Sequence, residues 1–235
     1  MSHESHVTGH ISRRFDHELE DIRNQVMRMG GLVESQVNNG LRGLLEADSQ
    51  IARQVVQDDH KVNRMEVDID ERCVEILARR QPAASDLRLI VAIIKTITDL
   101  ERIGDQAEKL GRNQLELIDD GETSSNYVRL EHIGELVSKN LHRALDAFAR
   151  MDDADALKTI AMDEKVNEEF EALMRQLITH MMEDPRTIRN ALRVSWCARA
   201  LERIGDHAKN ICEYVVFLVQ GKDVRHIGLK GQGEL

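Results

Sequence analysis

The sequence predicts an all-α fold: two tandem, pseudo-symmetric antiparallel three-helix bundles built from six long helices. Three observations predict it. Only two prolines and fourteen glycines interrupt 235 residues, and aromatic residues make up 3%, a composition of long helices with little enriched for strands. Apolar residues recur at spacings of three and four through almost every segment. The hexapeptide Leu-Glu-Arg-Ile-Gly-Asp occurs at Leu100–Asp105 and again at Leu201–Asp206, the mark of an internal duplication.

The first helix is expected after Ser12, with Leu19, Ile22, Val26, Met29, Leu32, Val33, Val37, Leu41 and Leu44 on its apolar stripe. A second covers 50–79, with Ile51, Val55, Val62, Met65, Ile69, Cys73, Ile76 and Leu77 on one side, and Pro82 closes it. Ser85 or Asp86 is the expected cap of a third helix over 85–118. Asp119-Asp120-Gly121, followed by Thr123-Ser124-Ser125-Asn126, is polar and turn-rich and divides the chain into halves. The second half repeats the plan at 127–150, 154–182 and 186–219, with Pro185 opening the last helix. A fainter repeat agrees: Asp59-His-Lys-Val-Asn63 corresponds to Asp163-Glu-Lys-Val-Asn167. The expected units are 12–119 and 125–220, followed by a flexible tail at 221–235. Helices of ~30 residues are about 45 Å long and must bury a stripe against neighbours.

A net charge of −10 argues against nucleic acid, whose binding needs Lys and Arg to neutralise phosphates. Cys73, Cys197 and Cys212 form no CxxC pair and read as reduced, buried thiols. The N-terminus has no apolar signal core, and the longest apolar run, Tyr214–Val219, is far too short to span a membrane. The chain therefore reads as soluble and cytoplasmic, meeting a membrane only through a partner. The nine methionines and Trp196 read as core residues.

The repeat also duplicates a carboxylate pair. Glu101 and Asp105 lie only about 40° apart on the third helix, as do Glu202 and Asp206 on the sixth. Ile90, Ile94 and Ile97 share the face of Glu101; Ile188, Ala191 and Ala198 stand in the same relation to Glu202. Two readings stand. In one, Arg102, Arg203 and other bases neutralise the acids in structural ion pairs. In the other, the acids, joined by Asp59 and Asn63 or by Asp163 and Asn167, supply oxygen ligands for a hard cation such as Mg²⁺, Mn²⁺, Ca²⁺ or iron. Gly104 and Gly205, mid-helix beside the acids, mark places where a neighbouring helix approaches closely. His207 has Gln106 as its counterpart, which favours a hydrogen-bonding role over a shared metal ligand. No P-loop, Glu-x-x-His, HExxH or nucleophile elbow occurs, so nothing looks catalytic. An acidic chain also offers no evident anion pocket, which makes a phosphate-binding sensor the weakest of the functional readings.

Beyond these features, four segments in fixed order carry a resemblance. They are the opening HISRRFDHELEDIRNQVMRMGGLVESQV, the stretch RRQPAASDLRLIVAIIKTITDLERIGD, the MMEDPRTI turn, and LERIGDHAKNICEYVVFLVQGKDVRH. With the duplicated E(D)xxxD, the chain resembles the PhoU family of bacterial phosphate-transport regulators over nearly its full length. The resemblance implies a non-enzymatic cytoplasmic regulator, commonly dimeric. It would link the ATPase subunit of a phosphate ABC transporter to a sensor histidine kinase and hold the phosphate-starvation response off when phosphate is plentiful. It requires no cofactor, although some members bind metal through these acids, which makes Mg, Mn, Fe or Zn possible. By position the metal candidates are Glu101, Asp105, Glu202 and Asp206, then Asp59, Asn63, Asp163 and Asn167. The family pattern GDHAxNIxE survives in the second copy, adding Asn210 and Glu213. The first copy puts Lys109 and Arg112 there, so the second is expected to be the better metal site. Glu66 and Asp70 also form an ExxxD pair, but their duplicates are Phe170 and Met174.

Overall fold

Six long helices, α1 Glu4–Glu46, α2 Ser49–Arg80, α3 Ala84–Asp119, α4 Val128–Arg150, α5 Asp153–Glu183 and α6 Ile188–Gln220, make up the described chain. The computed structural model describes residues 4–82, 84–120 and 128–224, with side chains from Arg13 onward except that of Val128. Of the polar stretch expected to divide the chain at 119–126, residues 121–126 lie outside the described residues, as does the expected 221–235 tail from 225 onward.

α1 begins at Glu4 rather than after Ser12, since no proline or cap stops it there. Its expected stripe is the buried one: Ile22, Val26, Met29, Val33, Val37 and Leu44 are all 2% exposed or less, and only Leu32 sits at the edge. Asp48 caps α2 by accepting from the backbone N–H groups of Gln50 and Ile51. Gln81, left-handed at φ 47°, ends α2 just before Pro82. The expected cap of α3 is displaced. The helix already includes Ala84, so Ser85 and Asp86 lie in its first turn, where Asp86 complements the helix dipole. Asp152 caps α5 through the Asp155 N–H. Asp184 accepts from the Arg186 N–H, and Pro185 opens a 3₁₀ turn, Pro185–Thr187, that leads into α6.

Helices α1–α3 form one bundle and α4–α6 the other. The most extensive interhelix contact joins the bundles, α3 against α6, with α1 against α4 beside it. One continuous apolar core therefore runs through both halves, from Leu19 to Val216. All three cysteines are buried, free thiols, with burial pushing each up to about 12. Two expectations about apolar residues fail. Trp196 is 50% exposed and Met182 80%, and Ile188 is also exposed. Cys197 and Ala198 already face the core at that level of α6, so the preceding Trp196 is turned outward.

Candidate functional site: duplicated carboxylate clusters

The hexapeptide glycines position the site. A Cβ on Gly104 would stand 3.4 Å from Asp59 Oδ1 and 3.3 Å from both Gln36 Oε1 and Val62 Cγ1. A Cβ on Gly205 would stand 3.2 Å from Asp163 Oδ1. Each glycine thus seats the aspartate of the second helix against the third. The two sequence repeats, read separately, meet in space in both halves.

In the first cluster, Asn63 Nδ2 donates to Asp59 Oδ2 at 3.1 Å. Asp59 Oδ1, Asn63 Oδ1 and Gln36 Oε1 are buried without a hydrogen-bond donor among the described residues. Burial raises the Asp59 carboxyl above the ordinary aspartate range, and the Asp105 charge adds to it. Burial likewise raises Glu101, followed by the charges of Asp105, Glu66 and Asp59. Glu66 joins this group, raised by burial and then by Asp70. Lys109 lies 3.9 Å from Asp105, and Arg112 pairs with Glu108.

The second cluster is more nearly neutralised. Asp163 is 2% exposed, raised by burial, and Lys209 Nζ lies 3.5 Å from its Oδ2. Arg199 pairs with Glu202 at 2.9 Å while its guanidinium stacks 4.5 Å from the centre of Phe170. Phe170 is the duplicate of Glu66, so an acid in one half is replaced by a platform for a cation in the other. Asp206 is solvent-accessible, yet surrounding protein and then the charges of Glu202 and Asp163 raise its carboxyl. The balance of charge therefore runs opposite to the sequence expectation: the first cluster keeps more uncompensated negative charge. Asn210 is drawn away, its Nδ2 donating to Asp99 at 3.2 Å. No hydrogen bond involving Asn167 falls among the described residues. Arg102 and Arg203, the expected neutralising partners, form no ion pair there either.

Both clusters present hard oxygen donors, with orphaned buried oxygens on Asp59 and Asp163 that suit a cation. Among the described residues, however, no three His, Cys, Asp or Glu side chains gather closely enough to hold one ion. What this chain offers is paired donors that a further ligand must complete.

The raised carboxyls fix a pH dependence. Asp59, Glu66, Glu101, Asp163 and Asp206 bind protons more tightly folded than unfolded, so they destabilise the fold at neutral pH. Stability rises as pH falls from neutral through their folded values, which lie above the ordinary range near 4. It falls again below that, where Glu18, Asp58 and Asp155, lowered by Arg80, Lys61 and Arg143, lose their partners. Melting of chelator-treated protein is expected to show this maximum on the acid side of neutral. Asp163→Asn is expected to raise Tm at neutral pH by about 2–4 °C for each kcal/mol relieved, and to shrink the acid-side gain. A Tm that fell steadily from neutral pH downward would contradict it.

Between the bundles lies an interaction that spacing did not reveal. Asp99, 3% exposed on α3, accepts at Oδ1 from His207 Nδ1 (2.7 Å) and Asn210 Nδ2 (3.2 Å), and at Oδ2 from the Tyr214 hydroxyl (2.7 Å). Arg193 of α6 reaches Glu116 and Asp120, and Arg189 also reaches Asp120. The available signal was asymmetry: the duplicate of Asp99 is Ala200.

Comparison with known proteins agrees with this architecture. The PhoU domain model matches residues 26–113 and 130–215, one match for each bundle. The phosphate-specific transport system accessory protein PhoU homolog of Pseudomonas aeruginosa is 53% identical over 229 residues, covering 97% of this chain and 95% of that protein. The accessory protein PhoU of Escherichia coli is 50% identical over 222 residues, covering 94% and 92%. The crystal structure of PhoU from P. aeruginosa superposes with a TM-score of 0.87 at 52% identity, over 88% of this chain and all of that one. That of the phosphate transport system regulatory protein PhoU from Streptococcus pneumoniae gives 0.83 at 29% identity, over 89% of this chain and 99% of that one. Two matched bundles, a duplicated acid pair on each third helix and half-identical full-length relatives lead to one assignment: the chain belongs to the PhoU family, the accessory proteins of phosphate-specific transport.

Proposed function

We propose that the chain is a cytoplasmic negative regulator of the phosphate-starvation response. It couples the ATPase subunit of the phosphate ABC transporter to a sensor histidine kinase and modulates phosphate uptake. The observation that carries this reading is identity of about half over 97% of the chain to a phosphate-specific transport system accessory protein. Two features support it. No described helix is long and apolar enough to cross a membrane, so contact with a transporter is made through its exposed subunits. The charge of −10 provides acidic helical faces for basic partner surfaces. Deleting the gene is expected to raise phosphate-regulated alkaline phosphatase severalfold in high phosphate; unchanged repression overturns the assignment. Pull-down from membranes of phosphate-replete cells is expected to recover the ATPase subunit and the kinase, and the chain is expected to act as a homodimer.

A second reading, a carboxylate-rich metal-binding protein, is favoured by the orphaned oxygens of Asp59 and Asp163 beside the duplicated acids. The candidate donors are Glu101, Asp105, Asp59 and Asn63 in the first half and Glu202, Asp206 and Asp163 in the second. Because no three of the acids gather closely among the described residues, a pair of them completed by a further ligand would hold a divalent ion. When bound, the ion would supply positive charge that offsets their mutual repulsion. Elemental analysis after gentle purification separates the readings: stoichiometric metal whose removal abolishes partner binding supports metal dependence, and trace metal counts against it.

A further inference from the structure

A cavity of about 370 Å³ is lined by Arg102 and Gln106 from α3 and by Arg203, Asp206 and His207 from α6. Arg102 and Arg203 are the third residues of the two hexapeptides, and Gln106 and His207 are duplicates of each other. Four of the five lining residues therefore form two matched pairs across the α3–α6 contact where the two halves meet, and Asp206 stands without its duplicate Asp105. Each arginine follows its acid, Glu101 or Glu202, by one residue, about 100° further round the helix. Guanidinium and carboxylate thus leave each helix on different faces. Neither arginine closes onto an acid of the clusters as an ion pair, although the Arg102 charge partly offsets Glu101 and Glu66.

Both arginines are exposed, and neither has an ion pair or hydrogen bond among the described residues. Two guanidiniums facing one cavity repel each other unless an anion stands between them, and their planar forks match the oxygens of a phosphate. The other groups extend the match. His207 commits Nδ1 to Asp99 at 2.7 Å, which leaves Nε2 as the ring nitrogen available to the cavity. Gln106, only 6% exposed, offers an amide. Asp206 is the discordant member, because a carboxylate repels an anion that has no proton to give. Hydrogen phosphate has such a proton, and sulfate at neutral pH has none. A carboxylate acceptor beside two arginines therefore selects the first over the second.

The geometry points to a binding site for a protonated monophosphate group at the seam of the two bundles, clamped by Arg102 and Arg203 and distinguished from sulfate by Asp206. The site does not rest on the regulatory reading, since binding by the purified chain is measured without any partner.

The test is titration calorimetry on the full chain, metal-stripped, with inorganic phosphate, phenyl phosphate or sulfate at matched ionic strength. Inorganic phosphate is expected to bind about tenfold or more tighter than sulfate. Arg102→Ala and Arg203→Ala are each expected to weaken it by about tenfold. The lysine replacements, which keep charge but lose the fork, are expected to fall between. Asp206→Asn is expected to bring sulfate within severalfold of phosphate. Phenyl phosphate, with a second pKa of about 6, carries that proton only in part at neutral pH. Binding severalfold weaker than inorganic phosphate therefore supports the site and extends it to phosphomonoesters, and binding of inorganic phosphate alone supports it as a site for the free anion. Phenyl phosphate binding as tightly as inorganic phosphate overturns the selection by Asp206. Absence of binding by either phosphate at millimolar concentration overturns the site, as does binding that the arginine substitutions leave unmoved. A phosphate-over-sulfate preference that survives in Asp206→Asn overturns the selection mechanism. Circular dichroism confirms that each variant is folded.

Discussion

Replacing Phe148 with Ala is expected to cost about 3–5 kcal/mol of stability, the largest effect of any single truncation in this chain. Phe148 sits on α4 with none of its surface exposed and is the bulkiest of the fully buried side chains. Truncation removes its transfer free energy and leaves a cavity that long, mutually supporting helices cannot collapse around. Phe148→Leu should recover more than half of the loss, because it refills most of the volume. Urea unfolding followed by circular dichroism measures both. A loss below about 1 kcal/mol for the alanine variant would mean that the core relaxes around the site, against the packing described.

Asp99→Ala is expected to cost about 3 kcal/mol, the largest effect of any polar substitution. The loss is not one hydrogen bond but a shared acceptor: His207, Asn210 and Tyr214 all lose the Asp99 carboxylate at once. These donors come from α6 and the acceptor from α3, so the damage falls on the contact between bundles. The unfolding transition should therefore broaden, or split, as the halves lose coupling. A double-mutant cycle of Asp99→Asn with Tyr214→Phe is expected to show a coupling of about 1–2 kcal/mol. Additive effects would place the tyrosine outside the network. Comparable destabilisation from Ala200→Asp, at the duplicate position, would show that any change at this level of the helices is equally disruptive.

The contrast between Phe148 and Asp99 shows where sequence reasoning reaches. Apolar spacing located six helices to within a few residues, except at Glu4, because each helix must turn one stripe inward whatever it packs against. The hexapeptide foretold the pairing of Gly104 with Asp59 and of Gly205 with Asp163 only as a close approach by some neighbour. Which residue approached required the register of α2 on α3 and of α5 on α6. Asp99 was illegible because α3 and α6 are each packed on two sides, once by their own bundle and once by the other half. A single helix's periodicity reports that a face is buried; it does not report that the burying surface carries three hydrogen-bond donors. Trp196 failed for the opposite reason. Its size suggested the core, but on a helix the neighbours Cys197 and Ala198 already claimed the inward direction. The charge of the clusters was misjudged because the sequence reading weighed Lys109 and Arg112 in the first copy and not Lys209, the counterpart of Glu108, which reaches the buried Asp163 carboxylate.

The one-sided acceptor on α3 has a consequence for how this duplicated chain can be rebuilt. Two copies of the second half joined in tandem would place Ala200 where Asp99 belongs, and two sets of His207, Asn210 and Tyr214 would lack that shared carboxylate. Two copies of the first half would bring two buried aspartates to the seam, facing glutamine, lysine and asparagine at the corresponding positions, Gln106, Lys109 and Asn113. Neither homogeneous chimera reproduces the native join. The halves have become lock and key to each other, no longer interchangeable units, and only one copy of each keeps both parts of the fit.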